Sequence, residues 1–421
     1  MDSNNKSLYI FILIITVSTG LAGLLYQGPI IAFQGFIDLQ LHPSRLITDF
    51  TQTAGIGGAL LNACLNGLIA VLIIFLSKVR LSGPTIAAVF TIMGFSLFGK
   101  TPLNILPIIL GVYITSRIIH KSFSTYIIIA LFGSALGPLA GFMAFEAGLS
   151  GAPALLAGAL IGIGTGMILP ALAVAMLRLH EGYNLYNMGL TCGFLGVFVA
   201  SILSAMKYDM PITVIWNTQP SLLLILLAPA ISLFMVIWGL ATDGLRKSIK
   251  GLGEIFSLSG RLPSDFMSMV SPGAALVNAG ILGLLTSAYI FALDGDFNGP
   301  TIGALFTIIG FATFGKHIKN TLPIVLGVVA ATLLSGKGLT APGPLLAFMF
   351  ATTLAPIAGE FGFVTGFIAG FLHLVVVERT ASWHGGLDLY NNGFAGGLVA
   401  TFIIAIVEWY QANKHERVGK R

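Results

Sequence analysis

The sequence predicts an all-α polytopic membrane protein of about 14 membrane segments, arranged as two inverted seven-segment repeats with short half-helices at segments 3 and 10. Three observations predict it. Of 421 residues, 56% are hydrophobic and only 9% charged, against roughly 25% charged in a soluble domain. Such a chain cannot cover its surface with polar groups, so lipid must be its solvent. Second, apolar runs near the roughly 20 residues a membrane helix needs recur along the chain. Third, the chain repeats itself at a fixed offset.

The apolar runs fall at 7–27, 54–78, 103–119, 125–146, 151–178, 185–206, 218–242, 270–293, 320–335, 341–359, 361–379 and 387–410. The first follows a lone Lys6 and has no small-residue cleavage site after it, so it reads as a retained helix. Two further runs, 84–98 and 300–314, have 15 residues each. They reach about 22 Å, short of a roughly 30 Å hydrocarbon core. Both start at Gly-Pro and end at Phe-Gly-Lys. The polar stretches 36–53 and 243–268 are each expected to hold a short helix lying at the membrane surface.

Gly83-Pro84-Thr85-Ile86 returns as Gly299-Pro300-Thr301-Ile302, an offset of 216 residues. The same offset joins Asp49 to Asp265, Asn62 to Asn278, Lys100 to Lys316 and Asn104 to Asn320. Between 83 and 100, 13 of 18 positions are identical to their partners. Later the match resumes at an offset of 204, with Leu185-Tyr186-Asn187 against Leu389-Tyr390-Asn391 and His180 against His384. The halves are therefore 1–210 and 211–421. Seven crossings is an odd number, so the second copy starts on the opposite side from the first. Basic residues favour cytoplasmic loops. They place both termini inside, with Lys78, Arg80, Arg117, Lys121, Arg178, Arg246, Lys247, Lys250, Lys316, Lys319 and the tail residues Lys414, Arg417, Lys420 and Arg421. Arg45, Lys100, Lys207, Lys337 and Arg379 fall outside. The loop with Lys78 and Arg80 corresponds to one with Asp294 and Asp296, an exchange of charge that inversion predicts. The net charge of +5 is spread too thinly for a nucleic-acid surface. Cys64 and Cys192 sit in apolar runs without paired spacing and read as small buried hydrophobes.

In inverted-repeat transporters the site lies where discontinuous helices meet near the midplane, and paired short Gly/Pro-interrupted segments point to it. Here Gly83 and Gly299 open those segments, and Thr85 and Thr301 put hydroxyls in their first turns. Free N–H groups and the helix dipole there suit an anionic or strongly polar group. The two starts are expected to approach each other, with Thr85 and Thr301 lining one cavity. The alternative is an ordinary helix start with Pro at its favoured first position. Tyr186-Asn187 and Tyr390-Asn391 each open a Gly-rich helix; the pairs read either as solute contacts or as an interfacial anchor with a cap. Asn62 and Asn278, inside long apolar helices, either bind solute or join helices. Lys100 and Lys316 either snorkel to the interface or draw anions inward. Glu360 and His373 are candidates for a proton relay, against a hydrogen-bonded core histidine and an interfacial acid.

Gly148-Leu149-Ser150-Gly151 has the form used by intramembrane serine proteases, but it lies in a glycine-rich connection. Without a metal, nucleotide or dinucleotide motif the chain reads as no enzyme, with no cofactor and no metal. The paired Gly-Pro-Thr…Phe-Gly-Lys and Leu-Tyr-Asn-x-Gly motifs resemble those of an uncharacterised bacterial integral-membrane family, a domain of unknown function present twice per chain. The resemblance covers nearly the whole chain and implies no substrate. The layout is also similar to the seven-plus-seven nucleobase/anion transporter fold, which implies a substrate between 84–98 and 300–314. The stretch near 390–397 resembles, more faintly, a Gly-Phe-Asn-Gly stretch of urea channels, whose paired asparagines before proline are absent here. The expected function is transport or facilitated passage of a small polar or anionic solute across the cell membrane, coupled to an ion gradient or to none. The expected partners are that solute and the bilayer, with no nucleic acid; a homo-oligomer is compatible with the sequence. The reading from another class is a non-transporting membrane scaffold or assembly subunit.

Overall fold

The computed structural model describes residues 3–418 and, among them, contains helices and no strand. Lys420 and Arg421 of the basic tail lie outside the described residues, as do the side chains of Lys414 and Arg417. Helix α1 (Ser3–Gln27) stops at Gly28, whose φ of 84° only glycine adopts cheaply, and Pro29 then starts α2 (Pro29–Gln40). The expected surface helix of 36–53 thus begins earlier, because this glycine turn ends the first crossing at once. The rest of that stretch is irregular, holds an isolated bridge between Thr48 and Ile215, and ends in the single turn α3 (Phe50–Thr53). There follow α4 (Gly55–Leu76), the short α5 (Gly83–Phe95) and α6 (Pro102–Ile118).

The next expected run, 125–146, is broken. A tight turn over Ser134–Leu136 separates α7 (Ile127–Gly133) from α8 (Gly137–Phe145). Then come α9 (Gly151–His180) and α10 (Asn187–Ala205).

The second half repeats this order. It runs α11 (Leu222–Asp243), α12 (Leu245–Ile255), α13 (Phe266–Met269), α14 (Pro272–Ala292), α15 (Gly299–Phe311) and α16 (Ile318–Leu334). Helix α12 is the surface helix expected in 243–268, with Arg246, Lys247, Lys250 and Glu254 exposed and Ser248, Gly251 and Ile255 buried. A turn over Ala351–Leu354 separates α17 (Pro342–Phe350) from α18 (Ala355–Trp383), and α19 (Asn391–Val418) closes the chain. The boundary expected near 360 is a kink inside α18 at Gly362, where φ is 83°.

Among the described residues, nine helical stretches are long and apolar enough to cross a membrane, one of them the kinked Pro342–Trp383. Four shorter apolar helices, α5, α6, α15 and α16, accompany them. This is the build of a multi-pass membrane protein. The short helices are no surface pieces. All of α5 except Pro84, and all of α15, is buried. Their 13 residues span about 20 Å, so they fit inside a bilayer-sized body without reaching both faces. They pack against each other antiparallel, Gly94 beside Gly303 and Gly310 beside Ala87, with the Phe90 and Phe306 rings 5.9 Å apart between.

Close helix crossings recur in both copies. A Cβ on Gly111 of α6 would sit 2.2 Å from the Ile163 carbonyl of α9, and one on Gly166 of α9 2.2 Å from that of Ile108. The equivalent Gly327 and Gly370 join α16 to α18, where the same distances are 2.0 Å and 1.9 Å. Small residues that let backbones touch are the usual means of joining helices where water supplies no driving force.

Candidate functional site

Both short helices border one cavity, through Pro84, Thr91 and Phe95 of α5 and Thr307 and Phe311 of α15, but Thr85 and Thr301 are not among the residues that line it. Because α5 and α15 are antiparallel, the start of each lies beside the end of the other. A Cβ on Gly83 would meet Phe314 and the Thr313 carbonyl, and one on Gly299 the Leu97 carbonyl. The expectation that Thr85 and Thr301 line one cavity is corrected accordingly. Each start is also already filled. Gly83 N donates to Asp265 Oδ1 (3.1 Å) and Gly299 N to Asp49 Oδ1 (3.2 Å), so each positive helix end holds a carboxylate from the other copy. Thr85 is turned into a capping box with Ser82, while the Thr301 hydroxyl is buried without a partner.

Asp49 also accepts from Thr51 N (2.9 Å), Thr51 Oγ1 (2.7 Å) and Asn217 N (3.0 Å). Replacing Asp49 with Ala strands several buried donors at about 1–3 kcal/mol each. Thermal unfolding in detergent should show a loss of more than about 3 kcal/mol. Thr301→Val, which removes only an unpartnered hydroxyl, should stay within about 0.5 kcal/mol.

The asparagines inside α4 and α14 join structure to structure. Asn62 Nδ2 donates to the carbonyls of Ser96 and Lys100, both at 2.7 Å; Asn278 Nδ2 donates to those of Ala312 and Lys316, both at 2.8 Å. They pin the connection that leaves each short helix, and that connection carries the lysine. Asn187 and Asn391 are likewise engaged. Each Oδ1 meets a histidine Nε2 at 3.0 Å (His180 and His384), and each Nδ2 donates to a carbonyl in the preceding helix, Ala173 or Val377.

Lys100 and Lys316 are fully buried and do not snorkel. Lys100 Nζ donates to Ser134 Oγ (2.7 Å) and to the Tyr390 hydroxyl; Lys316 Nζ donates to Thr352 Oγ1 (2.8 Å) and to the Tyr186 hydroxyl. The turns that interrupt the helices after α7 and α17 set those hydroxyls in place. Each lysine therefore reaches the tyrosine of the other copy. The ammonium groups also lie over the rings, 4.6 Å from the Tyr390 centroid and 4.5 Å from that of Tyr186.

The two tyrosines belong to a closed circle of six aromatic rings. Phe95 meets Tyr390 at 4.6 Å, Tyr390 meets Phe132 at 6.5 Å, and Phe132 meets Phe311 at 5.4 Å. Phe311 meets Tyr186 at 4.5 Å, Tyr186 meets Phe350 at 6.4 Å, and Phe350 returns to Phe95 at 5.6 Å. Exchanging the copies maps the circle onto itself.

All six rings line a cavity of 460 Å³. A second cavity, of 570 Å³, is its counterpart under the repeat. Leu46, Ile47, Phe98 and Asn391 line the second where Leu262, Pro263, Phe314 and Asn187 line the first. The two share Phe350, Leu389 and Asn392. These volumes suit a small organic molecule. A tyrosine oxygen that accepts from an ammonium keeps its own proton to give. With the lysines charged, that would make Tyr186 and Tyr390 strengthened donors in a water-poor site; both line the first cavity.

The proposed relay does not form. His373 is buried and its Nε2 meets Asn392 Oδ1 at 3.0 Å, whereas Glu360 is exposed just before the Gly362 kink. Of the residues singled out in the sequence, Tyr186 and Tyr390 are brought to the cavity and Asn187 to its wall. Phe95 and Phe311 fall inside the repeated motif, so the repeat itself marked them. Phe132 and Phe350 escaped because their equivalence needs a third offset, 218.

No curated protein and no solved structure matches the chain. A family model described as a protein of unknown function, DUF1576, matches residues 29–205 and 245–409. Those two stretches cover most of both halves, and the chain belongs to the DUF1576 family.

Proposed function

We propose that the protein is a transporter or facilitator for a small solute with a flat apolar body and an anionic or strongly accepting group. The observation that carries this is the circle of six rings, all of which line the first of two repeat-related cavities while Phe350 also lines the second. Aromatic faces suit a flat body, and the lysine-braced tyrosines suit an acceptor. The walls of the first cavity are too apolar for a solute held by charge alone, whereas Lys337, Glu378 and Arg379 line the second. In this reading the aromatic circle closes the path, and opening it toward either cavity gives access from either side.

The same reading has about 14 membrane segments, two inverted repeats of seven, in the cell membrane with both termini cytoplasmic. The antiparallel packing of α5 on α15 supports inversion, as does the exchange of Lys78 and Arg80 for Asp294 and Asp296. Cysteines placed at Val79 and Gly295, in a chain whose Cys64 and Cys192 are replaced by Ala, should react with an impermeant maleimide from opposite faces. Reaction from one face would leave parallel duplication and an even number of crossings.

The test of function is uptake into liposomes holding the full chain, with a panel of aromatic carboxylates, aliphatic carboxylates and neutral amides. Protein-dependent exchange of the aromatic carboxylates supports the reading. Exchange of nothing, with a stable partner protein recovered on purification, would replace it with a membrane scaffold.

A further inference from the structure

Asp388 is where the two copies diverge in charge at a buried position. It stands two residues before Tyr390, as Asn184 stands before Tyr186. The local frames match. Tyr186 N donates to Asn184 Oδ1 (3.2 Å) and Tyr390 N to Asp388 Oδ1 (2.9 Å). Asn184 N and Asp388 N each donate to a histidine Nδ1, of His180 and His384, at 3.3 Å. Leu185 N donates to the Thr353 carbonyl (3.0 Å) and Leu389 N to that of Ala135 (3.1 Å).

The remaining atoms do not match. Asn184 Nδ2 donates to the carbonyls of Tyr186 (3.3 Å) and Gly393 (3.1 Å), and its Oδ1 accepts from the Thr353 hydroxyl. In the second copy Ala135 replaces Thr353, and Asp388 Oδ2 is buried without any partner. By the equivalence, this oxygen occupies the place of an amide nitrogen that gives hydrogen bonds to main-chain oxygens. A bare carboxylate oxygen has nothing to give there.

Four titratable groups face it. They are Lys100 from the connection between α5 and α6, Cys192 from α10, His384 from the end of α18, and Tyr390 on its own segment. Lys100 and Cys192 interact with it electrostatically. His384 accepts at Nδ1 from Asp388 N, so its proton lies on Nε2, toward Asn391 Oδ1. The imidazole is thus committed as a neutral ring, and Lys100 is held by Ser134 and Tyr390.

We infer that Asp388 is a proton-binding site. With a proton on Oδ2 it becomes the donor that Asn184 is by constitution. When the proton leaves, the carboxylate competes with Tyr390 for the Lys100 ammonium, and the donor strength of Tyr390 toward the cavity changes. Proton binding and solute binding are then linked, and linkage is reciprocal. Only that last step rests on the transport reading; the proton site does not.

The test is infrared spectroscopy of the full chain in liposomes, titrated with alkali, with no solute present. The wild type should show at neutral pH the carbonyl stretch of a buried carboxylic acid, displaced when its aspartates carry a 13C carboxyl. Asp388→Asn should lack it, and Asp388→Glu should restore it at a shifted position. The tyrosine C–O stretch should shift in the same titration, and that shift should vanish in Asp388→Asn. Asn is the residue the other copy carries, so this variant is expected to fold; if it does not, isotope displacement in the wild type and the Glu variant still decide. A wild type without the acid band, or a band that Asp388→Asn leaves unchanged, overturns the site. So does a titration that moves when choline is replaced by sodium, which would make it a sodium site. A failure of panel uptake leaves these outcomes untouched.

Discussion

Lys316→Met is expected to leave the protein folded and to weaken solute binding about ten- to a hundredfold. The contacts of Lys316 Nζ are the hydroxyls of Tyr186 and Thr352 and the faces of Tyr186 and Phe311. Methionine keeps the length and most of the volume, and replacing a buried charge by an apolar side chain of similar size is often neutral or stabilising. Thr352 still donates to the Met349 carbonyl, so no buried donor is stranded there. What disappears is the charge assistance on Tyr186. A hydrogen bond to or through a charged group contributes about 1.5–3 kcal/mol, which sets the expected loss. Exchange by the best panel compound, measured against concentration, should show the affinity falling while the thermal unfolding temperature holds within a few degrees. An unchanged affinity would remove the lysine–tyrosine pair from the solute's path.

Gly370→Ala is expected to destabilise the fold strongly. The added carbon would sit 1.9 Å from the Ile324 carbonyl oxygen, with its carbon at 2.7 Å and the Ile324 Cα at 3.0 Å. All three are backbone atoms, so no side chain can swing away, and α18 must retreat from α16 by more than 1 Å along their whole contact. Overpacking a well-packed core costs about 1–3 kcal/mol; a rigid backbone obstacle belongs at or above the top of that range. Gly164→Ala in α9 is the matched control, because a Cβ there has no neighbour within 4 Å. It should be neutral or slightly stabilising, through the narrower freedom of the unfolded chain. Size-exclusion profiles in detergent should show Gly370→Ala aggregated or lost and Gly164→Ala unchanged. A monodisperse Gly370→Ala of wild-type stability would mean that the crossing is looser than described.

Much of this architecture was legible because a repeat is a property of sequence. The offset of 216 picked out α5 and α15 as short and equivalent, and composition alone placed the chain in lipid. The roles of individual polar residues were less legible, for a physical reason. Asn62 and Lys100 lie 38 positions apart, and nothing in the order of residues says that one holds the carbonyl of the other. Thr85 and Thr301 were drawn into a site by the helix starts they occupy. Occupation of those starts by Asp265 and Asp49 is a contact over 182 and 250 positions that only folding reveals. The charge at Asp388 was readable by setting Asn184 beside it in the second alignment. Its meaning was not, because the loss of the Thr353 hydroxyl at Ala135 lies at yet another offset.

The crossed grip of the lysines has a bearing on ancestry. Lys100 holds Tyr390 and Lys316 holds Tyr186, so a chain of half this length would own a lysine and a tyrosine that cannot meet each other. Such a half-chain could close its sites only by pairing with a second copy about a two-fold axis, and both sites of that pair would be the same by symmetry. Joining the two halves in one gene lifts that obligation. One copy can then keep the amide at 184 while the other carries an acid at 388, a difference that a pair of identical chains could never hold.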